Sequence, residues 1–134
     1  MARSKKKKNN NVSLYNYTCT LLRVVDGDTV DAMVDLGFNV QFKSRIRLYG
    51  VDTWEKRTRN KEEKKKGILA SQYTKEFLEA EGTFILKSHG VGKYGRCLGT
   101  LWTNDYSKCL NEELKKEGHA YEYHGEKKRI FGAK

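Results

Sequence analysis

The chain has 134 residues, the length of one domain. It contains no apolar run long enough to cross a bilayer and no secretory signal behind its basic start, so we expect no membrane partner and favour a cytoplasmic location. Its cysteines, Cys19, Cys97 and Cys109, are odd in number and widely spaced, which favours free thiols over a disulfide framework. We also expect a monomer.

The net charge of +10 is concentrated in three segments. Residues 3–8 and 56–66 each carry +5 and residues 126–134 carry +3, which leaves the rest of the chain at −3. Basic extensions on a slightly acidic body are typical of proteins that attract polyanions. Lysine-rich segments also occur as solubilising tails, but three segments of one sign favour DNA or RNA as the partner.

The first half of the chain has the pattern of a strand meander. Residues 1–12 lack an apolar pattern and are expected to form a disordered basic arm. Alternation along the third strand puts Arg47 on the face opposite Ile46 and Leu48. β-Branched and aromatic residues separated by turn residues predict strands at 17–25, 29–36 and 40–50.

The second half mixes helices and strands. The expected elements are a loop at 56–66, a helix at 67–80, strands at 83–87 and 97–103, and a short helix that begins at Cys109 or Leu110 and ends at Lys116. This order predicts a mainly β, α+β fold: a five-stranded Greek-key barrel of the oligonucleotide-binding (OB) type with two packed α-helices. The domain is expected to span residues 13–125, with a short basic tail at 126–134.

Carboxylates recur at the ends of the predicted strands. Asp28 follows the first strand and Asp52 follows the third, so closure of a barrel would bring them together. Two carboxylates with a backbone carbonyl and waters form a hard-oxygen set that suits calcium. Asp26 would lie close by, or it could cap the turn through backbone amides. The sequence therefore predicts a calcium site.

Three more side chains fit attack on a phosphodiester. Glu55 could orient a water and accept its proton, or it could pair with the basic residue beside it. Arg47 and Arg96 could each bind two oxygens of the phosphoryl group through a planar guanidinium. Arg47 could equally pair with Asp52. The histidines lack zinc-site spacing and are interpreted as surface or loop residues; they are His89, His119 and His124.

Four segments resemble the signature of the staphylococcal nuclease (thermonuclease) family. They have the family's order and similar intervals, and the likeness covers roughly residues 17–118. An isolated Asp-Gly-Asp-Thr also makes ordinary turns, whereas four elements in register are specific. The segments are Val25–Val30, Arg47–Glu55, Gly67–Ser71 and Lys93–Arg96.

The resemblance implies an OB fold and a calcium-dependent nuclease that acts on DNA and RNA. It implies cleavage of the 5′-O–P bond, which leaves 3′-phosphate ends. The calcium ligands would be Asp28, Asp52 and the carbonyl of Thr53. Glu55 would position or activate the water, while Arg47 and Arg96 would stabilise the transition state.

The resemblance also implies contacts with the nucleotide. Lys93 and Tyr94 would contact a phosphate, although a tyrosine in a glycine-rich loop is also a common packing anchor. Tyr121 and Tyr123 would lie near the base. Trp54 stands where the family commonly has proline. The alternative is a catalytically inactive OB-type module that binds nucleic acid, which would not need the acids and arginines together.

Overall fold

The structure is a computed structural model that describes residues 14–56, 58–92 and 95–124. The predicted arm at 1–12 and tail at 126–134 lie outside these residues, as do Lys93 and Tyr94. Within the described ranges, no helix combines the length and apolar character needed to cross a bilayer.

Strands dominate the described chain. In chain order the elements are β1 (Asn16–Asp26), β2 (Thr29–Gly37), β3 (Val40–Leu48), β4 (Val51–Thr53), α1 (Lys61–Glu79), β5 (Phe84–Val91), β6 (Cys97–Trp102), α2 (Leu110–Lys116) and β7 (Ala120–Glu122). The strands predicted at 17–25, 29–36 and 97–103 agree with β1, β2 and β6 to within one residue at each end.

Five strands close into a barrel in the order β1, β2, β3, β6 and β5. The β5 strand pairs back to β1, and the strand pairs are antiparallel except for β3 with β6, which run parallel. The two helices pack against this barrel and against each other. The predicted OB-like α+β fold is confirmed.

The barrel interior is filled by apolar side chains from every barrel strand and both helices. Ile46 and Leu48 are buried while Arg47 between them is only partly exposed on the other face, as the alternation predicted. Phe84 is buried too. Phe42 shares the parity of Ile46 but remains 55% exposed, because it lies near the β2–β3 hairpin, beyond the part of β3 that faces the core.

Helix α1 begins six residues before the predicted start, so the loop predicted at 56–66 is wrong from Lys61 onward. Asn60 caps the helix: its side-chain oxygen accepts a hydrogen bond of 3.0 Å from the amide of Glu63. Glu62 and Glu63 lie in the first turn, where negative charge stabilises a helix. The lysines that follow are good helix formers. Their charge suggested a loop, but charge and helix formation are compatible on a solvated face.

A second, small sheet was missed by the sequence analysis. The short strands β4 and β7 pair antiparallel, with Asp52 opposite Tyr121 and Thr53 opposite Ala120. Three residues per strand are too few to show a two-residue alternation. The pairing places Asp52 inside a strand and brings the chain after α2 back to the end of β3.

Candidate active site

A cleft of about 540 Å³ opens at the end of the barrel where the β1–β2 turn, the end of β3 and the short strand β4 meet. Tyr49, Leu98 and His124 contribute to its wall. It brings together seven of the residues singled out from the sequence, which are Asp26, Asp28, Arg47, Asp52, Glu55, Arg96 and Tyr123.

Helix α1 fixes the turn that carries the first two aspartates. The hydroxyl of Thr74, which is fully buried, donates a hydrogen bond of 2.7 Å to the carbonyl of Gly27. A Cβ at Gly27 would lie 2.8 Å from the Cβ of Ala70, so only glycine lets the turn pack this closely on the helix. The turn therefore presents Asp26 and Asp28 from a fixed backbone.

Asp28 is buried, and both of its carboxylate oxygens accept hydrogen bonds from neighbours. One carboxylate oxygen accepts from the hydroxyl of Thr29 at 2.9 Å, and the other accepts from the amide of Thr53 at 3.0 Å. The amide of Leu48 donates to the carbonyl of Asp28 at 2.8 Å. These contacts tie the turn to both β3 and β4, so the position of Asp28 depends on the whole end of the barrel.

Arg47 is held by four acceptors. Its Nη1 donates to the carbonyls of Val51 at 2.7 Å and Leu48 at 3.0 Å. The guanidinium also lies 3.5 Å from a carboxylate oxygen of Asp28 and 3.5 Å from one of Asp52. The predicted pairing of Arg47 with Asp52 is present, and the same cation neutralises Asp28.

Asp52 accepts a hydrogen bond from a tyrosine that lies outside the cleft lining. It is 1% exposed, and its second carboxylate oxygen accepts from the hydroxyl of Tyr121 at 3.0 Å. The ring of Tyr121 packs on Trp54, with the ring centroids 5.3 Å apart. Tyr121 is not part of the cleft lining, whereas Tyr123 is. Base contacts by either tyrosine stay predictions.

The surroundings of Asp28 favour the ionised form of its carboxyl group. Burial acts to raise the pKa of Asp28, but the Arg47 guanidinium and the hydrogen bonds at the carboxylate outweigh it, so its pKa lies below the ordinary value of 3.8. Two buried carboxylates beside each other are tolerated because a cation and several donors face them.

Asn111 supports the site and was not found from the sequence. Its amide nitrogen donates to the carbonyls of Tyr49 at 2.8 Å and Gly99 at 3.2 Å, and its oxygen accepts from the amide of Leu101. The residue is buried on α2 between Leu110 and Leu114. A polar residue in the apolar stripe of a short helix was the available signal, because such a group needs buried partners.

The histidines lie outside any zinc-like cluster, since the described residues contain no group of three or more acid, histidine or cysteine side chains placed to hold a metal. His89 stacks on Tyr49 with ring centroids 4.4 Å apart, and His124 approaches the same ring edge-on at 5.8 Å. His119 packs beside Tyr73. His89 and His124 are exposed, as interpreted from the sequence, and His119 is half-buried.

The donor set at the cleft fits a hard cation in chemistry. Asp28 and Asp52 offer ionisable oxygens on one wall. The Thr53 backbone contacts Asp28 through its amide, so the Thr53 carbonyl as a ligand stays a prediction. Calcium accepts carboxylate, carbonyl and water oxygens in irregular geometry, so two carboxylates are a workable protein contribution.

Comparison with known proteins agrees with this arrangement. Residues 45–132 match the family described as staphylococcal nuclease homologue. The chain belongs to this family. The match covers more than half of the chain, including Arg47, Asp52, Glu55 and Arg96, so the resemblance read from the sequence is confirmed.

The chain is similar to three curated proteins, two of which are thermonucleases. It is 35% identical to the thermonuclease of Staphylococcus intermedius over 73% of this chain and 55% of that protein. It is 34% identical to the thermonuclease of Staphylococcus hyicus over 77% of this chain and 57% of the relative. It is 28% identical to protein ParB of Escherichia coli over 78% of this chain and 58% of ParB. The chain thus spans little more than half the length of these relatives.

Proposed function

We propose that this chain is a calcium-dependent nuclease that hydrolyses phosphodiester bonds of DNA and RNA. The observation that carries the proposal is one cleft lined by two buried aspartates, two arginines and a glutamate, namely Asp28, Asp52, Arg47, Arg96 and Glu55. Membership of the nuclease family supports the same activity. A module that only binds nucleic acid would have no use for two buried aspartates side by side in the wall of its cleft.

Asp28, Asp52 and the carbonyl of Thr53 would hold the calcium. The bound cation would neutralise charge on the phosphoryl oxygens during attack. Arg47 is pre-organised by its four acceptors, so it would bind the phosphoryl group without reorganising. Arg96 faces the same cleft and would stabilise the departing 5′-oxygen. Lysine at either position would lose the two-pronged contact.

Glu55 would orient the attacking water and accept its proton. It lines the cleft beside the aspartates, on the segment that links β4 to α1. A positioned carboxylate of this kind contributes roughly 100- to 10,000-fold to a hydrolysis rate. Tyr121 would act as a positioning residue for Asp52, because its hydroxyl donates to that carboxylate.

Weak sequence preference is expected. The named groups would read a phosphate and its charge, and phosphate contacts carry no direct sequence information. Lys93 and Tyr94 would contact a neighbouring phosphate, and Tyr123 would lie near the base from its place in the cleft wall.

The test is hydrolysis of single-stranded DNA and of RNA with calcium and with an excess of chelator, followed by analysis of the product ends. We expect cleavage only with calcium, and fragments that carry 3′-phosphates. Equal cleavage in chelator would contradict the metal requirement. No cleavage in either condition, together with salt-sensitive binding, would identify a binding module instead.

A further inference from the structure

A second depression lies between β1 and α1, outside the cleft. Its volume is about 480 Å³, and its wall includes Arg23 of β1, Lys56 of the β4–α1 segment, and Ser71 and Lys75 of α1. We call it the β1–α1 groove. No residue of the groove also lines the cleft, so the two are separate features of the surface.

The groove is positively charged. Three cations line it, and Glu79 is the single acid among its lining residues. Arg23 donates to Asp31 from Nε at 3.3 Å, but its side chain remains 64% exposed, so the guanidinium is still open to solvent. Lys75 is exposed on the helix. A concave surface with this excess of cations favours an anionic ligand.

A buried hydroxyl in the groove lacks a partner. The Oγ of Ser71 is inaccessible and makes no hydrogen bond to any residue that the structure describes. A helical serine commonly satisfies its hydroxyl by bonding back to a carbonyl of the preceding turn, and Ser71 does not. An unpaired buried hydroxyl costs free energy, so a ligand oxygen that accepts from it would recover that cost once the Ser71 side chain rotates to bring its Oγ to the groove surface.

The groove and the cleft are joined by one stretch of backbone. Glu55 lines the cleft and the next residue, Lys56, lines the groove. Helix α1 presses directly on the peptide between them, since a Cβ at Gly67 would lie 2.5 Å from the carbonyl of Glu55 and 2.6 Å from the amide of Lys56. Gly67, Ser71 and Lys75 follow at intervals of four and so share one helix face. This face leads from the cleft into the groove.

We propose that the β1–α1 groove binds two adjacent backbone phosphates of the same single-stranded nucleic acid that is cut in the cleft. Lys56 and Lys75 each pair with one phosphate, and the Ser71 hydroxyl, once rotated toward the groove, donates to a phosphate oxygen. The proposal rests on the proposed function, because it takes the cleft as the place where the strand is cleaved. The groove then extends the track of the strand across the Glu55–Lys56 segment.

The test is the salt dependence of binding to a fluorescein-labelled oligothymidylate of about 15 nucleotides, within the site size of one OB fold. Fluorescence anisotropy in chelator measures Kd without cleavage. Loss of one phosphate contact on a single strand lowers the slope of log Kd against log salt by about 0.7, so Lys56→Gln with Lys75→Gln is expected to lower it by about 1.4. The control pair, Lys43→Gln with Lys108→Gln, removes two exposed lysines outside the groove and is expected to leave the slope unchanged.

Two single variants test groove residues one at a time, away from the Glu55–Lys56 segment that borders the cleft. Lys75→Gln is remote in sequence from Glu55 and is expected to lower the slope by about 0.7. Ser71→Ala removes a neutral donor, so we expect about fivefold weaker binding and an unchanged slope. The same variant is expected to raise the urea midpoint of the free protein, because the unpaired hydroxyl is gone. A purely structural serine would not combine greater stability with weaker binding.

Equal slopes for the groove pair and the control pair would overturn the proposal. The proposal would also be overturned if the groove pair lost binding to vesicles of anionic lipid while its binding to the oligonucleotide stayed unchanged, because the groove would then bind lipid headgroups. Failure of the proposed function is distinguishable, because it appears as no hydrolysis by the wild-type protein in calcium. In that case a lowered slope in chelator would still support the groove.

Discussion

Arg47 contacts both the backbone of the β3–β4 turn and the two buried aspartates of the cleft. The guanidinium satisfies two backbone carbonyls at the β3–β4 turn while facing Asp28 and Asp52. A single side chain thereby closes the turn and makes two adjacent buried carboxylates tolerable. The same fixed geometry is what a phosphoryl group would require of a cation.

Replacement of this cation is expected to destabilise the fold. Arg47→Met leaves two buried carboxylates without their cation, so we expect a loss of about 3–5 kcal/mol in the free energy of unfolding, measured in urea. Arg45→Met is the matched control: Arg45 lies on the same strand as Arg47 and pairs with Asp31 of β2, but its side chain is 45% exposed. We expect a loss below about 1 kcal/mol there. Equal losses in the two variants would contradict the role given to Arg47.

The lowered pKa of Asp28 predicts a pH dependence of stability. The pKa in the folded protein lies below the ordinary value of 3.8, so the ionised carboxylate stabilises the fold. This contribution is fully present above 3.8 and is lost as the pH falls through the folded pKa. We expect the free energy of unfolding to fall less steeply in acid for Asp28→Asn than for the wild type. Parallel curves in urea titrations at successive pH values would contradict this assignment.

At the scale of elements, α1 works as a platform for both flanks of the site. It holds the β1–β2 turn through Thr74 and Ala70, and it supports the Glu55–Lys56 segment through Gly67. The β4–β7 sheet supplies the opposite support, because its register places Tyr121 against Asp52. The proposed catalytic side chains thus come from loops and strand ends that regular elements hold in place.

Gly67 provides a test of this platform. Alanine is the better helix former by about 1 kcal/mol, so Gly67→Ala would stabilise an isolated α1. Its Cβ would meet the backbone of Glu55 and Lys56, so we expect a less stable protein and a slower hydrolysis. Lys66→Ala changes the exposed neighbouring position and is expected to leave the rate within about twofold. An unchanged rate and a higher melting temperature for Gly67→Ala would contradict the platform.

At the scale of the whole molecule, sequence periodicity predicted the barrel because its strands are long enough to show alternation. The four family segments predicted which residues meet, and six of the site residues they contain do line one cleft. What escaped prediction depends on tertiary contacts. The β4–β7 pairing is three residues long, the start of α1 depends on a single cap at Asn60, and the role of Asn111 exists only after α2 has docked.

The charge of the described surface differs between the cleft and the lysine-rich segments. The cleft combines acids with two arginines, of which Arg47 is fixed by its acceptors. The lysine-rich first half of α1 and the β1–α1 groove add positive charge to the surface around it. Long-range attraction by lysines would raise the rate of encounter with a polyanion and fade with salt. Hydrolysis would depend on the cleft, which is partly buried and screened less.

The central claim is that the cleft cuts phosphodiester bonds with Glu55 acting on the water. The most direct measurement is the single-turnover rate of cleavage of a single-stranded oligonucleotide in calcium by Glu55→Gln, beside the exposed control Glu76→Gln on α1. We predict a fall of at least about 100-fold for Glu55→Gln with an unchanged Kd, and a wild-type rate for Glu76→Gln. A Glu55→Gln rate within about twofold of the wild type would contradict the account.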